Sequence, residues 1–276
     1  MSIRTLLVSA SQDPGRETRL NIACDIARAF DAEIIGTGSA AVEQVFDDAF
    51  AVGAMSGEIA TLYQDIAEHE MRENRASFDA LTAARGLRAR WAGSAGYPAA
   101  IITQTARAAD LVLVAAHSPG VPFRAPDPVD VITGAGRPVL VVPSTPLRAP
   151  VGAPALLAWK DSRECRQAAA AALPLLRAAA HTHVLSVCRA ENATVVSAAL
   201  AEVESWLSRH GVAASSQVLV RNDKPAALRL LSSAAALEAG LIVSGAYGHM
   251  RLTEWALGGV TRSLLLDSPV CMLMAR

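Results

Sequence analysis

The sequence predicts an α/β protein made of two tandem domains, each built on a parallel sheet. Short aliphatic runs alternate with helical stretches, this pattern occurs twice, and 276 residues are enough for two average domains. The composition agrees, since 52% of the residues are hydrophobic and only 4% are aromatic. Such a composition favours helices packed closely on a sheet over an aromatic-rich β-sandwich.

Aliphatic and β-branched runs predict ten strands, five in each half of the chain. Those of the first half are 5–10, 33–37, 87–91, 111–115 and 138–142. Those of the second half are 155–159, 182–187, 214–220, 241–244 and 269–274. Helical stretches between the strands indicate successive βαβ units.

The two halves resemble each other as the products of a tandem duplication do. Segment 109–120 (ADLVLVAAHSPG) parallels 239–250 (AGLIVSGAYGHM), and 136–142 (GRPVLVV) parallels 267–273 (DSPVCML). The offset stays near 130 residues in both pairs. A constant offset indicates an internal repeat.

The predicted boundary lies in segment 143–154 (PSTPLRAPVGAP), whose four prolines disfavour helix and interior strand. We place the domains at 1–147 and 148–276. The first is longer because of an insertion at 39–57. We interpret this insertion as a surface loop, with a lid or a partner-binding surface as alternatives.

A long helix is predicted at about 58–85, directly after the insertion. Its apolar residues largely keep one face, which is typical of an amphipathic helix. They are Ile59, Leu62, Ile66, Phe78 and Leu81.

Charge and hydropathy argue against several classes of function. The net charge of -1 gives no electrostatic case for binding nucleic acid or anionic membranes. No apolar run approaches the roughly 18 residues of a membrane span, and the N-terminal one is too short for a signal peptide. We therefore expect a cytoplasmic protein. The cysteines have no CxxC spacing and are expected to be reduced packing residues: Cys24, Cys165, Cys188 and Cys271.

Ligands of open parallel sheets bind beyond the carboxyl ends of the strands, where the strand order reverses. If the first strand is central and the fourth lies beside it, two loops of the second half line that crevice, 159–164 (WKDSRE) and 245–250 (GAYGHM). Gly245 and Gly248 would let the backbone turn sharply and approach an anion.

A second glycine pair, Gly258 and Gly259, precedes a predicted helix. A helix start presents unpaired N–H groups and a positive dipole end, so it suits a phosphate group. Thr261 could add a hydroxyl. Positive charge is available nearby from Lys160, His249, Arg251 and Arg262.

Asp161 has two interpretations. A carboxylate after a first strand can accept hydrogen bonds from a ribose or a base. Alternatively, Asp161 caps a helix that begins at Ser162, with Glu164 completing something close to a capping box. One side chain could do both.

These segments resemble the universal stress protein family, in its tandem two-domain bacterial form. Its members have five-stranded parallel domains of strand order 3-2-1-4-5, a Rossmann-like fold of the adenine nucleotide alpha hydrolase-like type. Nucleotide-binding members carry G-x2-G-x9-G followed by Ser or Thr, and Gly245, Gly248 and Gly258 fit that spacing. The resemblance implies a cytoplasmic stress-response or regulatory protein that binds ATP, ADP or AMP, with Mg²⁺ accompanying ATP.

The resemblance also implies which residues hold the nucleotide. Asp161 matches the acidic residue that contacts the nucleoside, and Val187 ends the second strand, where family members hold adenine through backbone groups. The full set is Asp161, Val187, Gly245, Gly248, His249, Gly258, Gly259, Val260 and Thr261. Gly259 departs from the pattern, and the missing hydroxyl would be worth about 1–2 kcal/mol. Thr261 can compensate.

The first half departs further from the pattern. Ala115 and Ser118 stand where the glycines belong, and Asp127 and Pro128 replace the glycine pair. Asp127 would repel phosphate and Pro128 lacks an N–H donor. Asp13 keeps the acidic position, but we expect no nucleotide in this half.

In this family fifth strands pair across a two-fold axis, so the tandem chain is expected to form an internal pseudo-dimer, with a homodimer and an unidentified protein partner left open.

One alternative function is a nucleotide-free dimerising interaction module that uses the insertion. Another is a weak ATP hydrolase in which His249 or Asp161 positions water, although no P-loop, nucleophile elbow or HExxH motif is present. His181 and His183 share one face of a strand, but nothing nearby completes a metal site, and no metal is expected.

Overall fold

The computed structural model describes residues 2–39, 56–116, 125–246, 264–265 and 268–276. Ten strands within these ranges form one sheet. In the first half they are β1 (Thr5–Ser9), β2 (Glu33–Thr37), β3 (Ala89–Trp91), β4 (Leu111–Ala115) and β5 (Val139–Val142). In the second half they are β6 (Ala155–Ala158), β7 (Thr182–Cys188), β8 (Ala214–Val220), β9 (Leu241–Gly245) and β10 (Cys271–Ala275).

The strand order is β3-β2-β1-β4-β5-β10-β9-β6-β7-β8. Each half therefore has the order 3-2-1-4-5, and the predicted fold class is confirmed. All ten predicted strands are present, with bounds within two residues of those predicted.

The halves join through their fifth strands. β5 and β10 pair antiparallel, with Leu140 opposite Leu273, whereas the other strand pairs are parallel. Both strands are buried throughout, so this pairing removes two apolar edges that would otherwise invite aggregation. The expected internal pseudo-dimer is confirmed.

Seven α-helices lie within the described ranges and cover both faces of the sheet. They are α1 (Arg16–Phe30), α2 (Ser56–Ala84), α3 (Pro98–Thr105), α4 (Pro128–Gly134), α5 (Arg163–Ala178), α6 (Ala193–Arg209) and α7 (Ala226–Ala236). Helices α1, α2, α5 and α6 pack into one core, and α3, α4 and α7 into the other. Right-handed crossovers explain this division. In each half the chain first runs from the first strand to the third in one direction along the sheet, and then in the opposite direction to the fourth and fifth strands, so the connecting helices change face.

Among the side chains of helix α2 that the structure describes, those that pack on the sheet lie in its C-terminal part. Phe78 is buried and Leu81 packs beside it, whereas Leu62 and Ile66 are 58% and 41% exposed. A 29-residue helix spans about 43 Å, far more than the five-residue strand β2 beside it. The predicted apolar face is therefore covered over part of its length.

The proline-rich segment packs against the second half. Leu147 donates its N–H to the Pro269 carbonyl at 2.9 Å, and Arg148 pairs with Glu238. A Cβ at Gly240 would lie 2.0 Å from the Ala149 carbonyl oxygen, so only glycine fits there. The domain boundary at 147/148 stays a prediction.

All four cysteines are free, and Cys24, Cys165 and Cys271 are buried. Burial raises the pKa of the Cys271 thiol to about 12. Within the described ranges, no helix combines the length and apolar character that a membrane span requires.

Candidate functional site

Three of the predicted site residues come together at the carboxyl ends of neighbouring strands. β6 lies between β7 and β9; Asp161 follows β6, Val187 is near the end of β7, and Gly245 ends β9. This is the crevice position expected for a ligand of a parallel sheet. Six other predicted residues lie outside the described ranges: Gly248, His249, Gly258, Gly259, Val260 and Thr261.

The helix beside this crevice is capped by Ser162. Its backbone is extended, and its hydroxyl accepts the N–H of Cys165 at 3.3 Å. The alternative that Asp161 caps α5 is therefore wrong, because α5 begins one residue later than expected and Asp161 lies one position before the cap. Glu164 is then the second helical residue, so the glutamate position of a capping box is held by Cys165.

Asp161 remains accessible to a ligand. Its side chain is 69% exposed and forms an ion pair with Arg166, whose side chain is 58% exposed. Exposed ion pairs of this kind contribute about 0–1 kcal/mol. The carboxylate can therefore exchange Arg166 for ligand hydroxyl groups at little cost.

The backbone of Val187 faces the same crevice. Leu185 accepts the N–H of Trp159 at 2.8 Å, whereas Cys188 accepts the N–H of Arg221, which follows β8. Because backbone groups of a strand alternate between its two neighbours, the N–H and C=O of Val187 point to the side of β6. Since β6 ends at Ala158, they face the space beyond it.

Gly245 has a packing role that the sequence did not predict. A Cβ there would lie 2.5 Å from the backbone nitrogen of Cys165 and 2.8 Å from the carbonyl carbon of Glu164. The absence of a side chain thus lets β9 lie against the first turn of α5. Burial raises the pKa of the Cys165 thiol, partly offset by the backbone groups of Lys160 and Gly245, so this cysteine is a packing residue.

A cleft of about 600 Å³ opens beside Asp161, between α5 and α6. Trp159 and Trp206 line it, together with Arg166 and Arg209. Its volume is in the range of small-molecule sites. Asp161 and Arg166 thus border both the cleft and the start of α5.

In the first half, the equivalent acidic residue is bonded to other groups of the protein itself. Asp13 pairs with Arg19 at 2.7 Å, and the two side chains are 1% and 0% exposed. Asp13 also accepts the N–H of Gly15 at 2.8 Å, while Arg19 donates to the carbonyls of Ser9 and Ser11 at 2.7 and 3.0 Å. The Asp13 carboxylate therefore has almost no accessible surface for a ligand.

Sequence reasoning missed Arg19, although a signal was present. Arg19 shares its helical face with Ile22, Ala23 and Ile26, all of which are buried. An arginine on the apolar face of a helix, six residues after an aspartate, indicates an internal ion pair.

The N-terminus of α4 is likewise capped by a side chain of the protein itself. Asp127 accepts the N–H of Val129 at 2.8 Å, and Pro128 is the first helical residue. Asp130 lies at the surface, where partial burial raises the pKa of its carboxyl and the nearby Asp127 carboxylate raises it further. An incoming phosphate would therefore meet a capped and negatively charged helix start. Ala115 is buried at the end of β4, and Ser118 lies outside the described ranges.

Solved structures share this architecture over their full length. A universal stress protein from Archaeoglobus fulgidus DSM 4304 matches 99% of this chain and 96% of its own, with a TM-score of 0.75 and 15% identity. A functionally unknown protein from Pseudomonas aeruginosa PAO1 matches 99% of this chain and 92% of its own, with a TM-score of 0.61 and 18% identity. No protein-family model matches the chain, and no curated protein does so significantly. The predicted resemblance is thus confirmed at the level of fold: the chain has the fold of the universal stress proteins, with two such halves joined in one sheet.

Proposed function

We propose that this chain is a universal stress protein that binds one adenine nucleotide, in its second half, and acts as a regulatory protein of the stress response. In this proposal the chain consists of domains 1–147 and 148–276, and only the second takes a nucleotide. ATP, ADP and AMP are the candidates.

The observation that carries the proposal is the exposure of Asp161. Its carboxylate is 69% exposed and is held only by a surface ion pair with Arg166 among its described contacts. A ribose presents two hydroxyl donors, and hydrogen bonds to a charged carboxylate are worth about 1.5–3 kcal/mol each. They exceed the surface ion pair that they would replace.

The backbone of Val187 supports an adenine at the same crevice. Its N–H and C=O face the space beyond the end of β6. One donor and one acceptor on the same residue suit the edge of an adenine ring, which also presents one of each. The residues described at this crevice thus fit a nucleoside.

The phosphate groups are assigned to the glycine segment on the sequence motif alone. Gly248, Gly258, Gly259, Val260 and Thr261 would offer backbone N–H groups and one hydroxyl to the phosphate oxygens. Mg²⁺, when it accompanies ATP, is held largely by phosphate oxygens and water.

The direct test is mass spectrometry of small molecules released from the purified, denatured protein, followed by isothermal titration calorimetry with ATP, ADP and AMP. We expect binding of one nucleotide per chain. The absence of heat with all three, near millimolar concentration, would refute the proposal.

Asp161→Ala should weaken binding about tenfold or more, as expected for the loss of a charge-assisted hydrogen bond. Asp25→Ala is the matched control, because Asp25 belongs to another surface ion pair, with Arg85 at 2.7 Å. Equal affinity in the two variants would remove Asp161 from the site. Gly245→Val is a poor probe, since its side chain would collide with backbone atoms of α5 whether or not a ligand is bound.

A nucleotide-free interaction module is the second candidate, and one observation favours it. Leu62 and Ile66 expose apolar side chains on α2, shortly after the insertion at 39–57. This reading predicts that deleting the insertion abolishes association with another copy of the chain or with a partner. Unchanged association, measured by light scattering for the homodimer, would count against it.

A further inference from the structure

Two imidazole rings and one hydroxyl converge on the face of the sheet that α7 covers, near the amino ends of β7 and β8. His181 precedes β7 and His183 lies in it, so their side chains point to the same face. Ser215 is the partner of His183 across the pair of strands. The ring centroids of the two histidines are 4.7 Å apart, at an interplanar angle of 65°.

The ring nitrogens are directed at a common point. His181 Nε2 lies 2.9 Å from the hydroxyl oxygen of Ser215, and His183 Nδ1 lies 3.4 Å from the same oxygen. All three side chains are partly buried, which limits their freedom without closing off access to solvent. The strand pairing thus preorganises two nitrogen ligands.

We propose that His181 and His183 form a binding site for one divalent transition-metal ion of the zinc, copper or nickel type. Imidazole nitrogens suit these metals, and they bind zinc at about 2.0–2.1 Å. The ion would lie roughly 1 Å closer to each ring nitrogen than the Ser215 oxygen does. Water completes the coordination, since no third His, Cys, Asp or Glu of the described ranges joins the pair.

Binding of the metal ion requires a proton to move within one imidazole ring. Ser215 has one hydroxyl proton, so it donates to one ring and accepts an N–H from the other. The ring that donates to Ser215 must move that proton to its other nitrogen, which frees the lone pair for the metal. No proton leaves the protein when the rings are neutral, and the Ser215 hydroxyl turns aside.

This site is independent of the proposed nucleotide site. His183 lies four residues before Val187 on the same strand, a separation of about 13 Å, and toward the opposite end of the sheet. Loss of one activity should therefore leave the other intact.

The test is titration of the full chain with Zn²⁺ by calorimetry, after treatment with a chelator. We expect one site per chain, and at least a tenfold loss of affinity in both His181→Gln and His183→Gln, since even outer-shell ligands of metal sites contribute about 10- to 100-fold. Ser215→Ala should keep the affinity within about threefold, because the hydroxyl turns aside when the metal binds and both nitrogen ligands remain. Retention of full affinity in His183→Gln, or its loss in Ser215→Ala alone, would overturn the proposal.

Two control variants separate this site from other histidines. His210→Gln removes a partly buried ring that packs on Trp206 at 4.9 Å, and His69→Gln removes an exposed ring that lies 3.3 Å from Glu73. Neither change should alter zinc affinity. Nitrogen-15 spectra of the imidazole rings give a second readout: zinc should shift the resonances of His181 and His183 together, and unchanged rings at saturating zinc would refute the assignment.

Discussion

The two halves share one topology but treat the same acidic position in opposite ways. Arg19 and Arg166 are each the fourth residue of the helix after a first strand, and each pairs with an aspartate of the preceding loop. In the first half the pair is buried, with exposures of 0% and 1%; in the second half the exposures are 58% and 69%. The first pair belongs to the core, and the second to the surface.

This difference shows that an acidic residue after a first strand does not by itself indicate a ligand site. In the first half Asp13 is fully engaged by Arg19 and by the Gly15 N–H, and Asp127 caps α4. The chain also passes close by, since a Cβ at Gly15 would lie 3.1 Å from Ser144 Cα. In the first half, the polar groups that could bind a ligand are thus already hydrogen-bonded to other groups of the protein.

The largest effect is expected from breaking the buried pair. Asp13→Ala leaves the Arg19 guanidinium buried without a counter-charge, so the free energy of unfolding should fall by about 3–5 kcal/mol. Asp161→Ala removes the exposed counterpart and should cost less than about 1 kcal/mol. Urea unfolding followed by circular dichroism measures both.

The double variant Asp13→Ala/Arg19→Met sharpens this prediction. Removing both charges should restore part of the lost stability, because the stranded charge is gone. Equal losses in Asp13→Ala and Asp161→Ala would contradict the contrast between a core pair and a surface pair.

The ends of the two fourth strands offer the next comparison. Gly245 is the last residue of β9 and packs against the backbone of Cys165. Ala115, which has a side chain, is the last residue of β4. Gly245→Ala should lower the free energy of unfolding by about 1–3 kcal/mol, since the atoms that must move are backbone atoms of α5. Ala115→Gly should cost about 0.5–1 kcal/mol through chain entropy. A neutral Gly245→Ala in equilibrium unfolding would mean that β9 and α5 are not in such close contact.

A smaller effect is expected at the helix caps. Asp127 caps α4 and Ser162 caps α5, each through one backbone N–H. Asp127→Ala and Ser162→Ala should each cost about 1 kcal/mol, as capping residues typically do. Faster amide hydrogen exchange at Val129 in the first variant, and at Cys165 in the second, would identify the lost bond. Unchanged exchange at these amides would show that the caps contribute nothing.

The strands could be predicted from the sequence because buried parallel strands are continuous apolar runs. The runs 33–37 and 111–115, which are buried over all or nearly all of their length, match the observed bounds. The sequence predicts that the last strand begins at 269, but β10 begins at Cys271, because the Ser268 hydroxyl accepts the N–H of Val270 in a turn. Pro269 has no N–H to offer a neighbouring strand.

The site was less predictable, since its details depend on contacts between distant segments. Asp161 and Ser162 are both good capping residues, and only the backbone conformation decides between them. The burial of Asp13 depends on how α1 packs against the sheet. The convergence of His181 and His183 on Ser215 depends on the pairing of β7 with β8. Residue types and spacing do not encode such distances.

The smallest expected effect concerns the charge at the start of α4. The pKa of Asp130 is raised, first by burial and then by the Asp127 carboxylate. The folded state therefore holds this proton more tightly than the unfolded chain, whose ordinary value is 3.8. It follows that stability contributed at Asp130 is lost as the pH rises from 3.8 through the raised value, and that the penalty persists at neutral pH.

Asp130→Asn should accordingly increase the free energy of unfolding at pH 7 by up to about 0.5 kcal/mol, the usual range for surface substitutions. The gain should vanish below the ordinary pKa, where both residues are neutral. Glu17→Gln is the matched control, because Glu17 lies in the first turn of α1. Urea unfolding across this pH range measures the difference, and a gain that does not depend on pH would refute the claim that the ionised Asp130 carboxylate destabilises the start of α4.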